Sequence, residues 1–128
     1  MHIQAIMFKI FFVFFLYLFN KTNARKPEIV KFQPLITVEQ HESFRLICGT
    51  IKGSKPIQFQ WFRDGKKIFD DSLINIENKE STSILSFENI FFNYSGSYSC
   101  EASNHDGTDQ SSTLLQIKGL FIFNSYHS

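Results

Sequence analysis

Residues 96–104 read Gly-Ser-Tyr-Ser-Cys-Glu-Ala-Ser-Asn, and this stretch decides the fold. Tyr98, Cys100 and Ala102 alternate with small or charged polar residues. A period of two is typical of a β-strand with one buried and one solvated face, as in an antiparallel sheet. Asp106-Gly107 follows, and Asp-Gly after an alternating run predicts a hairpin, because glycine accepts a positive φ without steric cost.

The same alternation recurs along the chain after residue 24, where no helical period extends over ten residues or more. Asp64-Gly65 predicts a second hairpin. A run of about seven or eight short strands is typical of a sandwich. The sequence therefore predicts an all-β fold in which two antiparallel sheets pack face to face. The predicted inward-facing sets are Phe44, Leu46 and Cys48; Ile57, Phe59 and Trp61; Leu85 and Phe87; and Thr113, Leu115 and Ile117.

The first 24 residues predict a signal peptide. The uncharged apolar run Ile10–Phe19 is shorter than the roughly 20 residues that a membrane helix needs, and small residues follow it. Cleavage is expected after Ala24, which leaves a domain at residues 25–118. The alternative is an uncleaved membrane anchor, in which the apolar run extends back to Ile3. Edman sequencing of the secreted protein distinguishes the two, because only cleaved protein lacks residues 1–24.

Composition argues against several classes of function. Without residues 1–24 the chain loses two of its 13 Lys and Arg and none of its 12 Asp and Glu, so it gives no basic footprint for nucleic acid. No nucleophile set or metal-ligand spacing occurs, so the sequence predicts no enzyme, cofactor, metal site or small-molecule substrate. Asp70-Asp71 is interpreted as a solvated turn, because the ligand spacing of a calcium loop is missing. The four histidines are scattered, at His2, His41, His105 and His127.

Two cysteines in a secreted chain most simply pair, because they meet an oxidising compartment. Cys48 and Cys100 are 52 positions apart, and Trp61 follows the first of them by 13 residues. Tyr98 precedes Cys100 by two residues. Together these four residues resemble the immunoglobulin superfamily. The resemblance implies an immunoglobulin-like sandwich with one inter-sheet disulfide, the Trp61 indole beside the sulfurs, and the Tyr98 hydroxyl bonded to backbone at a strand corner.

More of the chain resembles the intermediate-set (I-set) domains of this superfamily. Residues 61–65 read Trp-Phe-Arg-Asp-Gly, like the W-x-x-D-G of those domains. Residues 85–90 read Leu-Ser-Phe-Glu-Asn-Ile and resemble their strand E, which implies a core position for Leu85. Residues 27–34, Pro-Glu-Ile-Val-Lys-Phe-Gln-Pro, are similar to domains of the Dscam (Down syndrome cell adhesion molecule) group of arthropods.

Two positions depart from the superfamily pattern. Six residues before the second cysteine the family usually has Asp, often paired to an Arg, whereas this chain has Tyr94. We therefore expect no such ion pair there. The family often has Gly where His41 stands, so His41 must tolerate a left-handed backbone if that corner keeps its shape.

Residues 90–95 hold two further candidate sites. Asn93-Tyr94-Ser95 is an N-glycosylation sequon, which is either occupied or unused. Ile90 is expected in the core. Phe91 and Phe92 cannot both face inward at a tight corner, so one is expected to cover the end of the sandwich. The alternative is that one is exposed as a contact residue for a partner.

The resemblance implies extracellular or cell-surface protein–protein recognition, with homophilic cell adhesion and neuronal wiring, including axon guidance, as the leading expectation. The alternative is a secreted single-domain immune or pattern-binding factor. An elastic muscle-type domain is disfavoured by the predicted signal and disulfide. The tail at 119–128 is too short to span a bilayer and is expected to be disordered. The chain is interpreted as the first domain of a truncated receptor, bound to a membrane in a longer form or with its signal uncleaved.

Overall fold

The computed structural model describes residues 2–22 and 24–119. His2–Thr22 form one helix, α1. Across the described ranges, no helix combines the length and the apolar character needed to cross a membrane. The signal peptide and its cleavage site stay predictions, and the predicted disordered tail lies outside the described residues except for Gly119.

Within residues 24–119, nine strands and one short 3-10 helix follow α1. The strands are β1 Glu28–Ile29, β2 Leu35–Glu39, β3 Phe44–Lys52, β4 Gln58–Arg63, β5 Lys66–Lys67, β6 Ile74–Asn78, β7 Thr82–Phe87, β8 Gly96–Asn104 and β9 Gly107–Lys118. They form two sheets, one of four strands in the order β1-β3-β7-β6 and one of five in the order β2-β9-β8-β4-β5. The 3-10 helix, Phe92–Tyr94, connects β7 to β8.

The core lies between the two sheets and follows the predicted alternation. Cys48 on β3 and Cys100 on β8 are bonded to each other, so the disulfide joins one sheet to the other. Trp61, Tyr98 and Leu85 are almost fully buried beside it. The predicted all-β sandwich with one inter-sheet disulfide is confirmed.

One strand pair departs from the antiparallel arrangement. β2 runs parallel to β9, in a register from Leu35 opposite Leu114 to Glu39 opposite Lys118. The chain reaches β2 by crossing over from the four-stranded sheet in residues 30–34, and only a tight hairpin forces neighbouring strands to be antiparallel. The crossover therefore permits the parallel pair.

The two predicted hairpins are present, and one is shifted by a residue. Asp64 and Gly65 form the loop between β4 and β5, with φ of 49° and 81°. Between β8 and β9 the loop is residues 105–106, and Gly107 is already the first residue of β9, opposite Asn104. The Asn104 Oδ1 closes this turn, because it accepts hydrogen bonds from the backbone N–H groups of Asp106 and Gly107, at 2.8 and 3.2 Å.

Candidate functional site

The disulfide and its neighbours form a closed structural unit. Trp61 lies opposite Cys100 in the register of β4 and β8. Its Nε1 donates to Ser83 Oγ at 2.8 Å, and Ser83 Oγ donates to Asn78 Oδ1 at 2.6 Å. Both cysteines are fully buried and oxidised, so they offer no thiolate for chemistry. A functional surface must therefore lie elsewhere on the domain.

The Tyr98 hydroxyl closes the corner before β8, as the resemblance implied. It donates to the Tyr94 carbonyl oxygen at 2.6 Å. Burial raises the pKa of Tyr98 to about 12, so the phenol keeps its proton at physiological pH. The Arg63 guanidinium lies 6.0 Å from the Tyr94 ring centroid and donates to the Ser95 carbonyl oxygen at 3.1 Å. An aromatic ring thus occupies the position where the family usually has a carboxylate.

His41 adopts the left-handed backbone that its corner requires, with φ of 74°. Its ring is held on three sides. Gln40 Nε2 lies 3.0 Å from His41 Nε2, and Asn89 Oδ1 lies 3.2 Å from His41 Nδ1. The Phe91 ring meets it edge to face, with centroids 5.2 Å apart. These contacts compensate for a conformation that costs a non-glycine residue about 1–2 kcal/mol.

Phe91 and Phe92 are both exposed, at 38% and 61%, while Ile90 is buried as predicted. Neither ring covers the end of the sandwich completely, although Phe91 rests against His41. Asn93 is exposed beside them. None of the hydrogen bonds found within residues 24–119 uses its side chain. These residues stay predicted sites, as a candidate interface and a candidate glycosylation site.

A second exposed apolar surface lies on the outer face of the four-stranded sheet. We call it the isoleucine strip. Ile47 and Ile51 share one side of β3 and are 57% and 60% exposed. Ile84 lies opposite Ile47 in the register of β3 and β7. Val30, which is 55% exposed, donates its backbone N–H to the Gly49 carbonyl oxygen at 2.9 Å. The strip comprises Val30, Ile47, Ile51 and Ile84.

Sequence reasoning missed the strip, although one signal was visible. The alternation in β3 already placed Ile47 on the face away from Cys48. Gly49, between the two exposed isoleucines, leaves the strip flat. A Cβ added there would meet no atom within 4 Å.

Charges of both signs border the isoleucine strip. Arg45 is exposed on the same side of β3, one step beyond Ile47. Glu77 lies opposite Ile84 in the register of β6 and β7. At the other end Lys52 Nζ lies 3.9 Å from a Glu28 carboxylate oxygen. A face with an apolar centre and mixed charges at its rim has the anatomy of a protein interface.

The acidic pair in the loop before β6 is used for backbone hydrogen bonding. Asp71 Oδ1 accepts from the N–H groups of Leu73 and Ile74, at 2.7 and 2.9 Å. Asp70 Oδ1 accepts from the Ile76 N–H at 2.8 Å. Within the described residues no group of three or more His, Cys, Asp or Glu side chains could hold a metal ion. The two carboxylates therefore serve the backbone of the loop that leads into β6.

Comparison with known proteins finds similarity to adhesion and muscle proteins. The family profile described as Immunoglobulin domain matches residues 26–104. Over 61 residues the chain is 36% identical to the cell adhesion molecule DSCAML1 of Homo sapiens. The matched segment makes up 48% of this chain and 3% of DSCAML1. Over 100 residues it is 28% identical to the muscle M-line assembly protein unc-89 of Caenorhabditis elegans. This match makes up 78% of this chain and 1% of unc-89.

A solved I-band fragment of titin superposes with a TM-score of 0.67 at 34% identity, covering 73% of this chain and 33% of that one. The chain thus spans only a few per cent of the length of the curated relatives it matches. The domain itself is matched over more than half of the chain, and its disulfide, Trp61 and Tyr98 lie where the resemblance implied. The chain belongs to the immunoglobulin domain family.

Proposed function

We propose that this chain is an extracellular recognition module of cell adhesion, which binds protein partners and, in the first place, a second copy of itself. Membership of the immunoglobulin domain family and the similarity to a cell adhesion molecule support a protein-interaction role. The observation that carries the proposal is the isoleucine strip. Soluble domains rarely leave several β-branched side chains side by side on one sheet face unless that face is a contact site.

The strip suits a second copy because it is self-complementary. A two-fold axis through the flat Gly49 region brings the apolar centre of one copy onto that of the other. It also brings the Arg45 end of one strip towards the end of the other where Glu28 and Lys52 lie, so that Arg45 can pair with the Glu28 carboxylate. Each half-exposed side chain contributes about 1 kcal/mol when the contact buries it. The resulting weak pairwise binding gains strength when many copies are displayed together on a cell.

The compartment separates this proposal from a muscle-type role, to which the unc-89 and titin similarities also point. A disulfide such as Cys48–Cys100 persists in oxidising compartments and is rare in the cytosol. A leader at residues 1–24 would deliver the chain to the secretory route. An N-terminus at Arg25 on protein recovered from the medium is the result we expect. Intracellular protein with residues 1–24 intact and reduced cysteines would contradict an extracellular role.

Self-association is tested with Gly49→Arg. Its side chain enters open space, and Gly49 has no positive φ, so the fold tolerates it while the charge blocks the flat centre of the strip. We expect concentration-dependent dimers in sedimentation velocity and clustering of coated beads, both lost in Gly49→Arg. Gln60→Arg, an exposed change on the five-stranded sheet, is the matched control and should keep both.

Strictly monomeric wild-type protein and unclustered beads would contradict homophilic binding. Binding to microbial surfaces by such a monomer would favour the secreted pattern-binding alternative.

A further inference from the structure

Phe91, Phe92 and Asn93 belong to one tight turn. The Phe91 carbonyl oxygen accepts from the Tyr94 N–H at 3.0 Å, and the Phe92 carbonyl oxygen accepts from the Ser95 N–H at 3.1 Å. Two residues of backbone span at most about 7 Å, so the α-carbons of Phe91 and Asn93 are close enough for a sugar on Asn93 to reach the Phe91 ring. The turn therefore places an exposed amide next to two exposed aromatic rings.

Arg63 holds the backbone of the turn, whereas the Asn93 side-chain amide is exposed to solvent. Arg63 Nη2 donates to the carbonyl oxygens of Asn93 and Ser95 and anchors the backbone on both sides of the sequon tyrosine. The exposed Asn93 side chain takes part in no hydrogen bond among residues 24–119. A carbohydrate can therefore be attached without removing an interaction of the fold.

Phe91 has the properties of a stacking platform. The His41 imidazole meets it at an interplanar angle of 87°, and Asn89 holds His41 in turn, so one edge of the contact is fixed. The remaining 38% exposure leaves part of the ring open to solvent. The negative face of an aromatic ring attracts weakly positive C–H groups, and the apolar face of a pyranose presents several of these.

We propose that Asn93 carries an N-linked glycan whose first N-acetylglucosamine stacks on Phe91, so that carbohydrate rather than a protein covers the Phe91–Phe92 corner. The inference rests on the proposed entry into the secretory route. The Asn93 amide nitrogen bonds to C1 of the sugar of a lipid pyrophosphate-linked oligosaccharide. The C1–O bond breaks, the lipid pyrophosphate leaves with the bonding electron pair, and the amide proton passes to a base of the transferase.

Attachment is tested with the full chain expressed in glycosylating cells. We expect an electrophoretic shift on peptide-N-glycosidase treatment that is absent in Asn93→Gln and in Ser95→Ala. If the native leader fails to deliver the chain, the proposed extracellular function fails. The same chain behind a proven secretory leader then still tests Asn93. Secreted protein with no shift under either leader would overturn the inference while leaving extracellular recognition intact.

Stacking is tested by thermal unfolding of glycosylated and Asn93→Gln protein. Phe91→Leu keeps an apolar contact with His41 but removes the ring. We expect it to lower the Tm by about 4 °C more in the glycosylated protein than in the Asn93→Gln background, the size of one aromatic contact in a domain of this length. Phe91→Tyr should restore the Tm. Phe69→Leu, at an exposed ring remote in sequence, is the control and should act equally in both backgrounds. An equal effect of Phe91→Leu in both would overturn the stacking.

Discussion

At the scale of single residues, the core depends on a short chain of polar contacts. Trp61 brings an indole N–H into an apolar interior, where an unpaired donor is costly. The Ser83 hydroxyl accepts that hydrogen bond and donates its own to Asn78 Oδ1. The indole N–H, the hydroxyl and the amide oxygen therefore all have side-chain partners. Trp61 and Tyr98 were predictable from their spacing to the cysteines. Ser83 and Asn78 were not, because a polar residue on a strand carries no sign of the donor it will meet across the sandwich.

Ser83→Ala should expose the importance of this chain of contacts. It leaves the Trp61 N–H buried without a partner, so we expect the free energy of unfolding to fall by about 1–3 kcal/mol. Urea denaturation followed by Trp61 fluorescence measures it. Ser86→Ala, on the other side of the same strand, should change the midpoint little. Equal midpoints for the Ser83 variant and wild type would contradict the role given to Ser83.

Tyr98 gives the domain a stability that alkali removes. Its folded pKa of about 12 lies above the value near 10 expected for an unfolded tyrosine, so the folded state favours the neutral phenol. This contribution is complete below pH 10 and is lost as the pH rises through 12, amounting to about 2 kcal/mol. We expect the unfolding free energy of wild type to fall more steeply between pH 10 and 12 than that of Tyr98→Phe. Parallel pH profiles would contradict the assignment.

At the scale of elements, β9 holds the crossover between the sheets with its side chains. Thr113 Oγ1 donates to the Gln33 carbonyl oxygen at 2.7 Å, and Ser111 Oγ accepts from the Phe32 N–H at 2.9 Å. One step further, Asp109 Oδ2 accepts from the Ile29 N–H at 2.7 Å. Residues 31–33 have left one sheet and not yet joined the other. Every second side chain of β9 from Asp109 to Thr113 thus supplies a hydrogen bond in place of the backbone hydrogen bonds that a neighbouring strand would make.

Asp109→Asn should loosen this crossover. Burial opposes the ionisation of Asp109, yet the Ile29 N–H and the Lys31 ammonium hold its pKa below the ordinary value. Its contribution is therefore present above the unfolded pKa, near 4, and is lost as the pH falls through the lower folded pKa. We expect a loss of about 1–2 kcal/mol at pH 7, a flatter acid profile and faster hydrogen exchange at the Ile29 amide. Asp106→Asn in the exposed turn is the control, and identical exchange in both variants would contradict the prediction.

The alternation predicted the strands but not what lies between or across them. It assigned Thr113, Leu115 and Ile117 to the interior, and they are buried. It did not reveal the crossover, because Ser111 and Asp109 are polar and indicate a wet face when taken alone. The isoleucine strip was not predicted from the sequence for a related reason. Joining Ile47 to Ile84 requires the register between two strands, which no local pattern specifies.

At the scale of the whole molecule, the disulfide is the strongest constraint on the unfolded chain. Cys48 and Cys100 close a loop of 52 positions, and the loop-entropy model gives about 4 kcal/mol for such a closure. We expect Cys48→Ala with Cys100→Ala to lower the unfolding free energy of the domain by roughly that amount. Denaturant titration with and without reductant measures it. Reductant should leave the double variant unchanged, and an unaltered wild-type midpoint in reductant would contradict the prediction.

The parallel pair of β2 and β9 has a mechanical consequence. The chain enters β2 at Leu35, beside Leu114, and leaves β9 at Lys118, beside Glu39. A force that pulls the entering and leaving segments apart acts along both strands in opposite directions. It loads the five registered pairs together in shear, whereas a hairpin pulled at its open end would yield one pair at a time. Tension between the two ends of the domain would therefore be borne by all five pairs at once.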